Sequence, residues 1–261
     1  MIRATGLRLA TSAQRAAVPI YRGVAGRSPV AAGASQQSVA RIIDQGRLPA
    51  CVGCAMCAIA EAAIGIPPHL SWVRIWTDAR RRDGSLTDTD AGTWFSSAVE
   101  SVTKRGIDPE EPGEWSNVEE MTQPDDLASE LAADDRRQMG SERWRATSLD
   151  AVEDALSRGL GVAIAAGVKA PYFDFFSTRR APDDADVVLT NSALGGYSNG
   201  HEQRLIAVSR EAGRRVWVIQ NSWGHSGGCH MPDGTFAPGC AKVDDSVLLG
   251  AWDIDVIEIR R

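Results

Sequence analysis

Hydrophobic and polar positions change their rhythm about two-thirds of the way along the chain. Residues 51 to about 63 are an almost unbroken run of Ala, Cys, Met and Ile, apolar around most of a helical circumference. Such a helix belongs inside a core. Gly65 and Pro67-Pro68 stop it, because proline cannot continue the hydrogen-bond ladder. A second helix is predicted over residues 93 to 105, where Phe95, Ala98, Val99 and Val102 share one face and Gly106 suits a left-handed cap. Residues 110 to 145 are acidic and irregular, and read as surface excursions. A third helix starts after Thr147 or Ser148, either of which suits an N-cap. It turns Val152, Ala155 and Leu156 inward and ends at Gly159.

Beyond that point the pattern is that of strands. Residues 161 to 168 are a run of small apolar side chains, and 205 to 208 and 216 to 219 are β-rich segments. Glu211-Ala212-Gly213-Arg214 between them is a plausible hairpin turn. Residues 254 to 259 alternate Ile or Val with acids, as a half-buried strand does. Helices first and strands second predict an α+β architecture with segregated lobes and a cleft between them.

Composition and charge narrow the function classes. The chain has 261 residues, 43% hydrophobic and 24% charged, with a formal net charge of −6. That charge argues against a general nucleic-acid binder, and no apolar run is long enough to span a membrane. The charge is unevenly placed. Arg3, Arg8, Arg15, Arg22, Arg27 and Arg41 precede the first acid, Asp44, so residues 1–43 form a basic arm ahead of a domain at 44–261. A transit peptide, a docking arm for a protein assembly partner and a solvated terminus all fit that composition. No continuous apolar core follows Met1, so the expectation is a cytoplasmic protein, with association to a larger particle left open. Five cysteines, three of them at Cys51, Cys54 and Cys57, suggest a reducing compartment. A Cys229–Cys240 bridge is a minority alternative.

Cys51 stands at the start of the first predicted helix, after the turn-rich Asp44-Gln45-Gly46-Arg47-Leu48-Pro49. A helix N-terminus and a nearby imidazolium both favour thiolate, the nucleophilic form. Cys54 and Cys57, one and two turns deeper, read as small hydrophobes in a core. The three cysteines also admit an iron–sulfur or zinc reading, but successive turns of one helix fan the sulfurs apart, and the expectation is no metal and no cofactor. A catalytic cysteine needs a histidine and a group to fix its ring. Of the four histidines, His69, His225 and His230 read as surface residues. His201 follows Gly195-Gly196-Tyr197-Ser198-Asn199-Gly200 and opens a strand. About 20 residues on, the neighbouring strand ends in Asn221-Ser222-Trp223-Gly224. Pairing of those strands would bring His201 and Asn221 to one end of the sheet, with Trp223 shielding their hydrogen bond. Tyr172, Phe173, Phe175 and Phe176 read as core packing more readily than as a specificity pocket.

These segments resemble a known family. Val218-Ile219-Gln220-Asn221-Ser222-Trp223-Gly224 is similar to the Asn-Ser-Trp-Gly motif of papain-like (C1) cysteine peptidases. Gly200-His201 before an apolar strand resembles their catalytic-histidine strand, and Gln45-Gly46 six residues before Cys51 resembles their Gln-Gly…Cys segment, notably of bacterial and phage-like branches. Asp90-Ala91-Gly92 before a helix resembles their left lobe. The resemblance covers residues 44 to 259. It implies a two-lobe fold, helical at about 44–146, with an antiparallel sheet or barrel at about 147–261. It implies a Cys51-His201-Asn221 triad cleaving peptide bonds through an acyl-enzyme, and an oxyanion site of the Gln45 side chain and the Cys51 backbone N–H. The partner is then a peptide or protein substrate. Val52 and Gly227 depart from the tryptophans usual at those positions. Residues 1–43 are too few for the long inhibitory prosegment of lysosomal relatives, so zymogen control is not expected. Glu202, if turned inward, is expected to raise the pKa of His201. The alternative reading is a structural or assembly protein that retains the domain and docks by its arm.

Overall fold

In this computed structural model the described residues are 6–23, 35–39, 41–65, 69–86, 88, 91–107, 109–110, 139–184, 187–196 and 199–260. Among them are helices α1 (Ser12–Ala16), α2 (Cys51–Ile64), α3 (Trp72–Arg82), α4 (Phe95–Lys104), α5 (Leu149–Ser157), α6 (Ala170–Phe175) and α7 (Asp245–Leu249). The strands are β1 (Ile20–Tyr21), β2 (Ser35–Gln36), β3 (Gly140–Ala146), β4 (Gly161–Gly167), β5 (Val188–Leu189), β6 (Gly200–Glu211), β7 (Arg214–Gln220), β8 (Cys229–His230), β9 (Phe236–Ala237), β10 (Cys240–Asp244) and β11 (Asp253–Arg260).

The apolar run at Cys51 folds as expected, and nearly every side chain of α2 is buried, including Cys54 and Cys57. Gly65 ends α2 at a positive φ of 75°. Ser148 caps α5, its Oγ accepting from the Ala151 N–H. Among elements the pattern did not give, α3 packs Trp72, Val73, Ile75 and Trp76 against α2. The stretch read as irregular through residue 145 ends in β3, a seven-residue strand paired with β11. Residues 111–138, the bulk of that stretch, lie outside the described residues, as do Pro67-Pro68 and Tyr197-Ser198.

The main sheet runs β1-β3-β11-β4-β6-β7-β10-β5, with β2 added beside β6. Its path is open among the described residues, so it is a mostly antiparallel sheet and the closed-barrel alternative does not hold. Helices α2 to α4 form one apolar core with Ala163 and Ile257. Helices α5 to α7 share a second core with Val162, Ile164, Leu205, Trp217 and Ile219. Alternation along β4 and β11 therefore feeds both cores, while β6 and β7 turn Ile206, Ala207 and Val218 into a third cluster with Cys229, Met231 and Cys240. The β6–β7 connection is the expected hairpin, closed by Glu211↔Arg214 with Ala212 and Gly213 at φ 48° and 79°. Positive φ at both central residues is the two-residue turn whose twist matches paired strands.

The basic arm meets the rest of the chain at several of its described segments. β1 pairs with β3 and β2 with β6. Tyr21 donates to Asp154, Gln37 Nε2 donates to the Leu160 carbonyl, and Arg41 forms an ion pair with buried Glu61.

Candidate active site

The hairpin brings His201 and Asn221 together. His201 stands second in β6, and Asn221 follows directly on β7. His201 Nε2 and Asn221 Oδ1 are 2.7 Å apart. An amide oxygen only accepts, so Nε2 carries the proton and Nδ1 is left as the acceptor. Asn221 Oδ1 also accepts from the Ser222 N–H at 2.8 Å, which fixes the amide orientation. The Trp223 ring lies 4.9 Å from the imidazole at 31°. Phe173 stacks on Trp223, and Tyr172 and Phe176 meet it edge-on. The aromatic cluster is core packing behind the histidine, and His201, Trp223 and Tyr172 are all buried.

Cys51 is the first residue of α2, and its N-cap, Ala50, supplies no side-chain hydrogen bond. The uncapped N–H groups and the helix dipole point toward the sulfur. Cys51 Sγ accepts from the Glu202 N–H at 3.4 Å, so the sulfur sits beside the residue that follows His201. It also accepts from the Gly6 N–H at 3.2 Å. Gln45 is held next to Asn221. Its backbone N–H donates to the Ser222 carbonyl at 2.9 Å, and its side-chain oxygen accepts from Ser222 Oγ. Gln45 Nε2 donates to the Leu48 carbonyl at 2.7 Å. The expected oxyanion donor is thus in the neighbourhood of the site, with an internal acceptor in this state.

The Gly6 contact belongs to a larger one that sequence reasoning missed. Residues 6 to 8 run between the two sides of the cleft. Thr93 N–H donates to the Gly6 carbonyl, Arg8 N–H to the Thr93 carbonyl, and Leu7 N–H to the Gly200 carbonyl. The approach is so close that a Cβ on Gly6 would lie 1.8 Å from the Pro49 oxygen, and one on Gly92 2.1 Å from the Gly6 oxygen. At Gly6 the arm therefore meets the Cys51 sulfur directly. Burial pushes the Cys51 thiol up to about 12, offset in part by the Glu202 and Gly6 N–H groups. Burial also pushes His201 down to about 4, opposed by its bond to Asn221. With the arm seated, both groups are therefore neutral.

The condition set for Glu202 is not met. Neighbours on a strand face opposite sides, and Glu202 points away from the imidazole and makes no contribution to its pKa. Cys229 and Cys240 are not joined in a disulfide, so the bridge alternative does not hold. Cys57 Sγ donates to the Leu70 carbonyl at 3.3 Å within the helical core. No helix among the described residues is long and apolar enough to cross a membrane.

No protein-family model matches the sequence, and no curated protein matches it. Solved structures do match. Xylellain, a cysteine protease from Xylella fastidiosa, aligns with a TM-score of 0.69 at 18% identity, covering 99% of this chain and 96% of that one. The digestive procathepsin L 3 of the Tenebrio molitor larval midgut gives a TM-score of 0.66 at 16% identity, covering 99% of this chain and 76% of that one. The procathepsin B S9 from Trypanosoma congolense gives 0.64 at 11% identity, over 99% and 86% of the two chains. The chain has the α+β fold of the papain-like cysteine proteases.

Proposed function

We propose that this chain is a cysteine peptidase in which Cys51, His201 and Asn221 cleave peptide bonds through a covalent acyl-enzyme. The observation that carries the reading is the pairing of His201 Nε2 with Asn221 Oδ1 at 2.7 Å, one residue away from the Glu202 N–H that meets Cys51 Sγ. That bond fixes the tautomer in which Nδ1 accepts a proton.

In this mechanism the Cys51 thiol passes its proton to His201 Nδ1, and the sulfur attacks the carbonyl carbon of the scissile amide. Negative charge develops on the carbonyl oxygen. The Cys51 N–H at the head of α2 would receive it, together with Gln45 Nε2 once that group leaves the Leu48 carbonyl. Preorganised donors of this kind are each worth about 2.7–4 kcal/mol. The tetrahedral intermediate collapses as the C–N bond breaks, and His201 gives its proton to the leaving amine. A thioester to Cys51 remains. Water, deprotonated by His201, attacks it and releases the acid, and the sulfur recovers its proton. Asn221 holds the ring through both transfers, and Trp223 keeps water from that bond. Substrate occupies the groove only when residues 6 to 8 have withdrawn from it.

The test is Cys51→Ala against the parent chain on a broad peptide library. Loss of all turnover with an unchanged circular dichroism spectrum is the expected result. Turnover surviving the substitution would remove Cys51 from the reaction and end the reading.

A further inference from the structure

The face of the sheet beside Cys51 carries a row of side chains that the peptidase mechanism leaves without a role. Ala165 on β4 pairs with Glu202 on β6 and, on its other side, with Asp253 on β11. Directly paired residues share a face of a sheet. Two carboxylates therefore flank a single methyl group, their Cα atoms about two strand spacings, ~10 Å, apart. Two residues further along the same face of β11, Asp255 pairs with Ala163. Alanine in the middle strand is what leaves a hollow between the acids. Its wall begins at the residue whose N–H touches the Cys51 sulfur.

Two of the acids differ sharply in how they are satisfied. Asp255 is bidentate to Arg143, at 2.8 and 3.0 Å. Glu202 is 1% exposed, lines the same hollow, and neither of its oxygens has a hydrogen-bond partner. A buried carboxylate without a donor is costly, and natural structures retain few of them. Burial and the neighbouring Asp255 and Asp253 push its carboxyl up, with Arg143 opposing. Arg145 also faces Asp253 and Asp255. Without the arm, three acids stand against two arginines.

The arm itself supplies a cation here. Arg15 Nη1 donates to the Trp252 carbonyl at 3.4 Å, and its charge favours ionised Asp253. Leu7, Arg8 and Leu9 line the hollow with these acids, and the space left is about 30 Å³, roughly that of one water. Gly6 is the arm residue on the sulfur, so the arm fills the hollow from positions one to three residues away along its backbone.

We infer that the hollow between Glu202, Ala165 and Asp253 receives the side chain of an arginine or lysine of the peptide substrate, one to three residues from the bond that Cys51 cleaves. The assignment rests on the peptidase reading and adds a substrate class to it. A guanidinium offers paired donors that match a carboxylate, and an ammonium offers three. Either supplies what the Glu202 oxygens lack.

The experiment uses the full-length chain and quenched fluorescent peptides. Arg, Lys, Leu or Glu is placed in turn at each of three positions on either side of the cleaved bond. A ratio of kcat/KM values from one enzyme sample cancels the fraction of molecules whose arm is withdrawn. At one position Arg and Lys should exceed Leu by about tenfold or more, with Glu rejected. Glu202→Gln and Asp253→Asn, both near-isosteric, should each lower that Arg-to-Leu ratio. Cleavage with no basic preference at any position overturns the assignment, as does a preference unchanged in both variants. Absence of cleavage of every peptide overturns the peptidase reading and this assignment with it.

Discussion

At the scale of single residues, the site depends on which atoms are held and which are left open. Asn221 Oδ1 accepts from both His201 Nε2 and the Ser222 N–H, so the ring is anchored to an amide that is itself fixed. Asn221→Ala removes the anchor and frees the ring to take the other tautomer. The expected result is a loss in kcat of about 10²-fold or more, with little change in KM, because the base is then misplaced in the transition state. An unchanged kcat would show that the ring needs no such support. The local motifs behind this pair were legible in the sequence, because a strand ending in Asn221-Ser222-Trp223-Gly224 and a strand opening at His201 need only one hairpin to meet. The direction of Glu202 was left open at the same scale. Its neighbour's role drew attention to the imidazole, whereas strand alternation sends its carboxylate to the opposite face.

At the scale of elements, α2 joins the chemistry to the core. Gly53 lies where α2 crosses α3, and a Cβ there would meet Trp76 Cβ at 2.7 Å and the Trp72 oxygen at 2.8 Å. Gly53→Ala is expected to destabilise the fold by about 1–3 kcal/mol, read as a lower midpoint in chemical denaturation. A midpoint equal to the parent's would mean that the two helices part easily. The arm is the second element with a testable consequence. A Cβ on Gly6 collides with backbone at Pro49, which no rotamer change relieves. Gly6→Ala is thus expected to unseat residues 6 to 8 and return water to the sulfur. The parent thiol, held up at about 12 by burial, should alkylate slowly at neutral pH. The variant should shift that rate profile toward lower pH, and superimposable profiles would refute the role given to the arm. The seating of residues 6 to 8 was not legible in the sequence, because they meet Cys51, Thr93 and Gly200 through their backbone, and backbone hydrogen bonds leave no side-chain signature. Helix α3 was less hidden. Ser71 caps it and its apolar residues fall on one face, but it starts soon after a proline pair and ends in Arg80-Arg81-Arg82, which weakens the apolar pattern.

At the scale of the whole molecule, charge and topology work together. The acid-free arm lies on a remainder rich in acids, and its Arg15 and Arg41 reach Asp253 and Glu61. Segregation of helices from strands was legible as a change of period, and so was α+β architecture. The open edge of the sheet was not, since closure depends on which strands pair across long separations. Asp253 gives this scale its pH dependence. Burial, then Asp255, raise its carboxyl from 3.8 to about 6. Between those two values the folded chain binds more protons at this residue than the unfolded chain. Its burden on stability is therefore full above about pH 6 and relieved as pH falls toward 3.8. Asp253→Asn should raise Tm at pH 7.5, with the gain vanishing by about pH 4, the lower end of the Asp253 window. A gain of equal size at both pH values would contradict the linkage.

All of the chemistry requires one sulfur, among five cysteines, to be the nucleophile. An epoxide directed at thiols, reacted with the Gly6→Ala chain and located by peptide mass spectrometry, addresses that directly. The expected result is a single adduct on Cys51, formed in step with loss of peptide hydrolysis. An adduct on Cys54, Cys57, Cys229 or Cys240 that tracks the loss, or hydrolysis that persists when Cys51 is fully labelled, would contradict the assignment.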